Sequence, residues 1–427
     1  MATSNWIGGT TAVAQVDTLT PGGTIEIGDL FIITMAAERQ ATTYALSVAA
    51  TGTTVNQTCI DIATAWNAST HTLCDKITAA PVGTAGSYTA VTLTADVAGV
   101  PFYSSASTTE AGGGAADDQT FARATTTDNA GPNDWYTAAN WESGTLPQPD
   151  DNLVINNGAQ SILYGLDQSG VGYGVVTIGQ SFISPGQVGS VDLPLLLQCD
   201  SLIVGSHAGS LEPVGSPLIR IELSGTPSVF VYNSAFAGLG YRSPIELTGA
   251  AGNVHIYKGK VAFAPMAGET WTCSAAYFGY VSVQDEDCEI KGGQAAAFPV
   301  LNVSGGVVSV QNSPEVVNID GGELTLSGAN DIDTIVVNGG TLNLDNANLI
   351  GTYTINGGTA YLNKHGVMTL ANLYGGYTNW LKLRTARTVT STNYSAGARF
   401  AFDPATLTQT NKPVAVGRVD VTVSEPV

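Results

Sequence analysis

Apolar positions in this chain alternate over short stretches almost throughout, and in one stretch they fall at helical spacing instead. Residues 54–68, TVNQTCIDIATAWNA, put Val55, Cys59, Ile62, Ala63 and Trp66 on one face, with Thr53 or Thr54 available as cap, and predict an amphipathic helix. Before it, TIEIGDLFIITM over 24–35 reads as a strand pair about a Gly-Asp turn. After it, YTAVTLTA over 88–95 alternates like a half-buried strand, and 97–107 continues the sheet. Residues 1–109 are therefore expected to form a small α+β domain. The segment 110–119, EAGGGAADDQ, has three consecutive glycines, two aspartates and little to bury, so 110–130 is read as a linker.

Past the linker the helical pattern does not recur, and strands of four to six residues alternate with Gly, Asn, Asp and Pro turns. The strongest signal is an internal repeat. Gly-Gly pairs stand at Gly305-Gly306, Gly321-Gly322, Gly339-Gly340, Gly357-Gly358 and Gly375-Gly376, at intervals of 16, 18, 18 and 18 residues. Two residues before the pairs come Val303, Ile319, Val337, Ile355 and Leu373. Five residues after each first glycine come Val310, Leu326, Leu344, Leu362 and Trp380. Every one of these ten positions is apolar.

A fixed period with a repeated turn and inward apolar residues is what a solenoid requires, because each coil buries its inner face only against its neighbours. A repeat of this length fits two or three short strands and is too short for a strand and a helix. The paired glycines supply a corner that reaches positive φ and stacks without side-chain clashes. The fold class expected is mainly β, a right-handed parallel β-helix preceded by the small α+β domain. A large antiparallel sandwich with coincidental Gly-Gly turns is the alternative. The segments LVINNG, VVTIGQ, SLIVGS, IRIELSG, VFVYNS, IELTGA, VHIYKG and VSVQDE keep the same strand-then-turn grammar and extend the β-helix over 131–384, with loops expected over 184–197 and 235–243. Residues 385–427, where the repeat fades, are expected to be a β-rich cap over the last open edge.

Composition narrows the function. With 15 Lys+Arg against 35 Asp+Glu and a net charge of -20, the chain is poorly matched to a phosphate backbone, and nucleic-acid binding is not expected. The opening Met1-Ala-Thr-Ser-Asn-Trp lacks a basic leader and an apolar core, and no stretch has the apolar length of a membrane span, so synthesis in a cytoplasm without membrane insertion is expected. Cys59, Cys74, Cys199, Cys273 and Cys288 form no CxxC. The spacings of Cys59 with Cys74 and of Cys273 with Cys288 allow pairing, but free buried thiols are the expectation.

Candidate chemistry is sparse. His71, His207, His255 and His365 have no second ligand or nucleophile at motif spacing and read as surface or turn residues. Asp150-Asp151, Asp285-Glu286-Asp287 and Asp331 with Asp333 are the acidic groups dense enough for glycan hydrolysis, but adjacent carboxylates in turns more often cap backbone N–H groups. Calcium at Asp331 and Asp333 is disfavoured because the glycine-rich calcium-binding nonapeptide is missing. No P-loop, dinucleotide fingerprint or G-x-S-x-G elbow is present, so neither catalytic residues nor a cofactor nor a metal is expected. Tyr232, Tyr241, Tyr257, Tyr277, Tyr280, Tyr374 and Tyr377 are candidates for stacking on sugar rings, and packing within coils or between subunits explains them as well.

The stretch GPNDWYTAANWESGTLPQPDDNLVI over 131–155, followed by SILYGLDQS, resembles a family of phage and prophage structural proteins with β-helical bodies. The opening W-x-x-x-x-N-W-x-x-G-x-x-P-x-x-x-D, which also begins bacterial adhesin-like β-helices, is carried here by Trp135, Asn140, Trp141, Gly144, Pro147 and Asp151. Asn5-Trp6-Ile7-Gly8-Gly9 and Ala98-Gly99-Val100-Pro101-Phe102 are similar to the N-terminal domain of the same proteins. The resemblance covers residues 1–170 in wording and the rest in repeat style. It implies a virion-surface component whose N-terminal domain docks on a major capsid or tail protein, commonly as a homotrimer. Capsid decoration or a head fibre is the leading expectation. A tailspike that binds or cleaves host surface glycan and a bacterial adhesin are the alternatives. The two tryptophans are expected to plug the first coil.

Overall fold

A computed structural model of the chain describes residues 2–39, 43–110, 118–179, 181–183, 185–190, 192–205, 218–232, 244–278, 289–381 and 386–416. The protein is mainly β, with 55% strand and 4% helix. It divides into two compact units, one of residues 6–146 with 160–167 and one of residues 1–5, 147–159 and 168–427.

After the short β1 (Thr3–Trp6), the first unit holds β2 (Val16–Gly23), β3 (Leu30–Ala36), β4 (Thr43–Ala49), α1 (Val55–Asn67), β5 (Ile77–Thr84), β6 (Ser87–Ala95), β7 (Tyr103–Thr109) and β8 (Gln119–Thr127). They form two antiparallel sheets, β5-β6-β2-β8 and β4-β3-β7. The helix begins where the sequence places it, because Thr54 Oγ1 accepts the Gln57 N–H at 3.2 Å and satisfies one of the orphan donors of the first turn. Its buried face carries Cys59, Ile62, Ala63 and Trp66, which join Leu19, Phe31, Ile33 and Met35 in one core. At the far end Trp66 Nε1 donates to Ile77 O at 2.8 Å, and the Asn67 amide exchanges two hydrogen bonds with Ala79, tying α1 to β5.

Two expectations need correction here. Residues 24–35 are not a hairpin: β2 and β3 belong to different sheets, because positive φ at Gly23 (75°) and Gly28 (102°) breaks the chain on both sides of the buried Ile25. Nor is 110–130 a linker throughout. Residues 111–117 lie outside the described residues, but β8 pairs with β2 along its length, and Arg123 on it makes hydrogen bonds to the fully buried Asp17 through Nε (2.9 Å) and Nη2 (2.6 Å). Asp17 also accepts from Gln15 Nε2 at 3.2 Å and from Ser104. A buried carboxylate needs that much compensation, so β8 is built into the first unit. The unit therefore runs on to Leu146 instead of ending near residue 109.

In the second unit short strands pair in parallel with the strand two further along the chain, so two ladders interleave. One runs through Val300–Val303, Val316–Ile319, Ile332–Val337, Leu349–Ile355 and Val367–Leu373, and the other through Val307–Val310, Glu323–Leu326, Thr341–Leu344, Thr359–Leu362 and Tyr377–Asn379. The register stacks Val303, Ile319, Val337, Ile355 and Leu373 in one row and Val310, Leu326, Leu344 and Leu362 in the other. All of these, with Trp380, are at most 3% exposed. A one-residue slip would turn either row to solvent, so the hydrophobic pattern specifies the register. Parallel pairing continues back to Asn152–Ile155 against Asp167–Ile178, which argues against the antiparallel alternative.

The Gly-Gly pairs sit at the turn between the ladders, and their two members do different work. The second glycine, Gly306, Gly322, Gly340, Gly358 or Gly376, takes φ between 65 and 75°. The first is held by crowding: a Cβ on Gly321, Gly339, Gly357 or Gly375 would come within 2.6 Å of a carbonyl oxygen in the preceding repeat. Residues 386–416 also join the ladders, since Arg387–Tyr394 pairs in parallel with Val367–Leu373 and Arg399–Ala401 with Tyr377–Asn379. This part of the expected β-rich cap thus pairs onto the last repeats, and 417–427 lie outside the described residues. The repeat fades from the sequence there because buried positions hold Arg387 and Thr392, with Arg387 donating to Asn363 O at 2.7 Å and to Trp380 O.

Candidate functional site: an aromatic stack on the outer face of the parallel sheet

The residues of the opening motif divide between the units. In the first unit Trp6, Trp135 and Trp141 are each 1% exposed and pack edge to face, Trp6 on Trp141 at 5.1 Å and Trp135 on Trp141 at 4.8 Å. Trp141 Nε1 donates to Trp135 O at 3.0 Å and Trp6 Nε1 to Gln160 O at 3.1 Å. Asn140, fully buried, donates to Gly131 O (2.6 Å) and Asp134 O (2.9 Å), accepts from Thr10 N through Oδ1 (3.2 Å), and through its own carbonyl receives Ile7 N and Gly8 N. Gly144 follows with φ 66°. Within the first unit these residues form a buried ring cluster fastened by backbone hydrogen bonds. In the second unit Pro147 is buried and Asp151 accepts from Ala2 N (3.1 Å) and Gln148 N (3.0 Å).

The acidic groups flagged in the sequence are engaged in caps or lie elsewhere. Asp331 Oδ1 accepts from Asn348 Nδ2 (2.8 Å) and Leu349 N (3.2 Å), and Asp285, Glu286 and Asp287 fall outside the described residues. Sequence reasoning missed a different pair in the first unit. Glu38 and Asp134 both have their carboxyl pKa raised, chiefly by burial, and the nearby Asp134 charge adds to the rise at Glu38. Both are engaged structurally: Glu38 accepts the Leu166 N–H, and Asp134 accepts from Tyr136 N (3.1 Å) and Asn129 Nδ2 (2.6 Å). Perturbed carboxyls of this kind mark functional sites and structural fastenings alike, and these partners describe a fastening.

The histidines are not all surface residues. His71 is half-buried with its ring stacked on Tyr44 at 3.9 Å, and His207 lies outside the described residues. His365 is 2% exposed and accepts the Trp380 indole N–H through Nε2 at 3.1 Å. Burial, reinforced by the nearby Arg387 charge, pushes its pKa down to about 4, so it is neutral at pH 7. Cys59, Cys74, Cys199 and Cys273 are buried free thiols, and burial pushes the Cys59 and Cys273 thiols up to about 11 and Cys199 up to about 12. Thiols held protonated in this way are poor nucleophiles. Cys288 falls outside the described residues.

Of the candidate tyrosines, Tyr232 and Tyr257 are brought together. On Ser228–Tyr232, Val229 and Val231 point inward at 0% exposure, and Phe230 and Tyr232 point outward. On Ile245–Lys258, Val254 and Ile256 are buried, and His255 and Tyr257 point outward. Parallel register places Phe230 beside His255 and, continued by two residues, Tyr232 beside Tyr257, although a register shift after Val231 pairs the Tyr232 backbone with Lys258. The rings stack nearly parallel, Phe230 on His255 at 5.2 Å and 8°, Tyr232 on Tyr257 at 4.8 Å and 9°. Their spacing is that of neighbouring strands, so ring faces turn along the ladder and ring edges turn to solvent. Tyr232, 47% exposed, ends its column opposite Gly205, a position that contributes no side chain to cover the far face.

The outer row that starts with this stack turns polar as it proceeds. Backbone register leads from Phe230 and His255, by way of position 277, to Asn302, Asn318, Val336, Thr354, Asn372 and Asn393. Asn318 donates to Asn302 at 2.9 Å and Asn393 to Asn372 at 2.9 Å, the amide ladder expected where identical side chains stack in a parallel sheet. Tyr374 and Tyr377 stand apart from the aromatic stack, and Tyr241 and Tyr280 fall outside the described residues. Among the described residues no helix is long and apolar enough to cross a membrane.

No protein-family model, curated protein or solved structure matches this chain.

Proposed function

We propose that the chain is a non-enzymatic virion-surface protein of a bacteriophage, a capsid decoration or head-fibre component, in which the interleaved ladders are the faces of a right-handed parallel β-helix. The observation that carries this reading is the in-register parallel pairing from Asn152–Ile155 to Val414–Ala415. Such a ladder buries its apolar rows along its whole length and presents rows of amides, hydroxyls and carboxylates outward, a durable surface that needs no cofactor. The acidic balance keeps crowded copies apart on a shared surface. The first unit is the part assigned to docking on a major capsid or tail protein, with three copies meeting at a threefold site.

The test is the copy number of this chain in purified particles. Hundreds of copies per particle support capsid decoration, a handful moves the protein to the tail, and absence from particles overturns the virion assignment.

A second reading, a tailspike-type attachment protein, is favoured by Tyr232 at the end of the aromatic stack, because the ring face that Gly205 leaves uncovered and the tyrosine hydroxyls beside it are the groups that pack on sugar C–H surfaces. Particles or purified chain are incubated with host capsule or lipopolysaccharide. Retention that is lost in Tyr232→Ala and Tyr257→Ala supports attachment, and released oligosaccharide would replace attachment by cleavage.

A further inference from the structure

A set of carboxylates in the first unit has no place in the surface reading. Asp29 immediately precedes β3, the central strand of the β4-β3-β7 sheet, and Leu30 pairs with Thr109 at the end of β7. Continuing that antiparallel register sets Glu110 across from Asp29, although the two are far apart in sequence. The turn before β3 closes with Asp29 N donating to Glu26 O at 3.2 Å, which brings Glu26 to the same end of the sheet. One carboxylate oxygen from each of Glu26, Asp29 and Glu110 lies within 4.8 Å of the other two.

Like charges opposed across a strand pair repel, and one of these groups has an additional cost. Asp29 is 1% exposed. Its Oδ2 accepts the Glu26 backbone N–H at 2.7 Å, but Oδ1 is buried and has no hydrogen-bond partner among the described residues. A carboxylate oxygen withdrawn from water without a donor is destabilising, and a cation is the partner that satisfies it while also neutralising its two neighbours.

We infer that Glu26, Asp29 and Glu110 form a binding site for a divalent cation of the calcium type. Three features select that class. The donors are all carboxylate oxygens, which suit hard cations and not zinc or copper. Three carboxylate oxygens within 4.8 Å of one another can close on one ion, and so few protein ligands leave the adaptable coordination that calcium accepts and that magnesium, which demands near-ideal octahedral contacts, does not. Glu26 is exposed and Asp29 buried, so the site opens to solvent at one side, where water completes the 6–8 ligands that calcium takes, roughly. The bound ion would join the turn before β3 to the end of β7, locking the edge of the sheet immediately before the segment that leads into β8.

The test uses the full chain, stripped with EDTA and dialysed at constant ionic strength, so that general screening of the acidic surface is not mistaken for binding. CaCl2 or MgCl2 is titrated by calorimetry and by thermal melting. The expected result is one calcium per chain, with affinity on the order of 10⁻⁴ M and a melting-temperature rise of several degrees that magnesium reproduces weakly. Asp29→Asn abolishes the rise, and Glu26→Gln, an exposed position that leaves the core intact, weakens affinity about tenfold. If Asp29→Asn does not fold, Glu26→Gln decides. The inference is overturned if the wild-type chain shows no calcium-dependent shift beyond the ionic-strength control, or if Glu26→Gln responds as the wild type does, since the ion would then act elsewhere.

Discussion

Asn356 donates a hydrogen bond from Nδ2 to Oδ1 of Asn338, one repeat earlier, at 2.7 Å. Asn338 passes the same bond to Asp320 at 2.8 Å, so the residue before each of three Gly-Gly pairs belongs to a single ladder. Each amide donates one way and accepts the other, which only Asn can do at the middle position. Asn338→Asp would place a second carboxylate one strand spacing from Asp320 and remove the donor between them. A loss of about 1 kcal/mol at pH 7 is expected in urea unfolding, shrinking as pH falls below the carboxylate range, with Asn338→Ala showing the smaller and pH-independent loss.

The corner glycines separate two costs that are usually confounded. Gly340 has φ 67°, and an added Cβ would meet Gly322 O at 2.4 Å; Gly225 has φ 83° with nothing within 4 Å of its Cβ. Gly225→Ala should therefore lose only the left-handed backbone preference, about 1–2 kcal/mol. Gly340→Ala should lose that and a further ~1–3 kcal/mol from displaced backbone. Equal losses at the two positions would refute the stacking account of the corner.

His365 predicts a pH effect with a definite sign. Its folded pKa is lowered to about 4, below the unfolded value near 6.5. The unfolded chain then binds the proton first, so the stability it contributes is present above about pH 6.5 and is lost as pH falls toward 4. The pH window corresponds to roughly 3 kcal/mol. His365→Gln should flatten the difference in stability between pH 7 and pH 4.5, measured by denaturant unfolding relative to the wild type.

Arg220 is 1% exposed, pairs with Glu246 at 2.9 Å and contacts Glu269. Parallel register sets Arg220 directly beside Glu246 on the next strand. Arg220→Met strands Glu246 in the interior and should cost about 3–5 kcal/mol. Removing both charges in Arg220→Met with Glu246→Leu should recover most of that loss. A double variant no more stable than the single one would mean that the pair is not the source of the cost.

How much was legible follows from distance along the chain. The row Val303, Ile319, Val337, Ile355 and Leu373 was readable because each strand pair repeats its neighbour at a near-fixed interval, so local pattern and long-range contact carry the same information. The Asp320, Asn338 and Asn356 ladder was visible in the same alignment as the residue before each glycine pair, and only its hydrogen bonding was missing. Arg387 and Thr392 hid a further stretch of ladder because buried polar residues break the apolar pattern. The Tyr232 and Tyr257 stack depends on which strands pair and in what register, and the less regular spacing of the repeats before residue 293 does not reveal that.

By itself the sequence determined the helix at Val55–Asn67, the glycine corners and the apolar rows, since each follows from periodicity and from the φ that a short turn demands. The tertiary structure alone decided that β8 belongs to the first unit, that the three tryptophans pack with one another, and that Glu26, Asp29 and Glu110 share one end of a sheet. Those arrangements depend on antiparallel pairing and side-chain packing between distant segments, where the partner of a residue is chosen by the whole fold and leaves no interval to read.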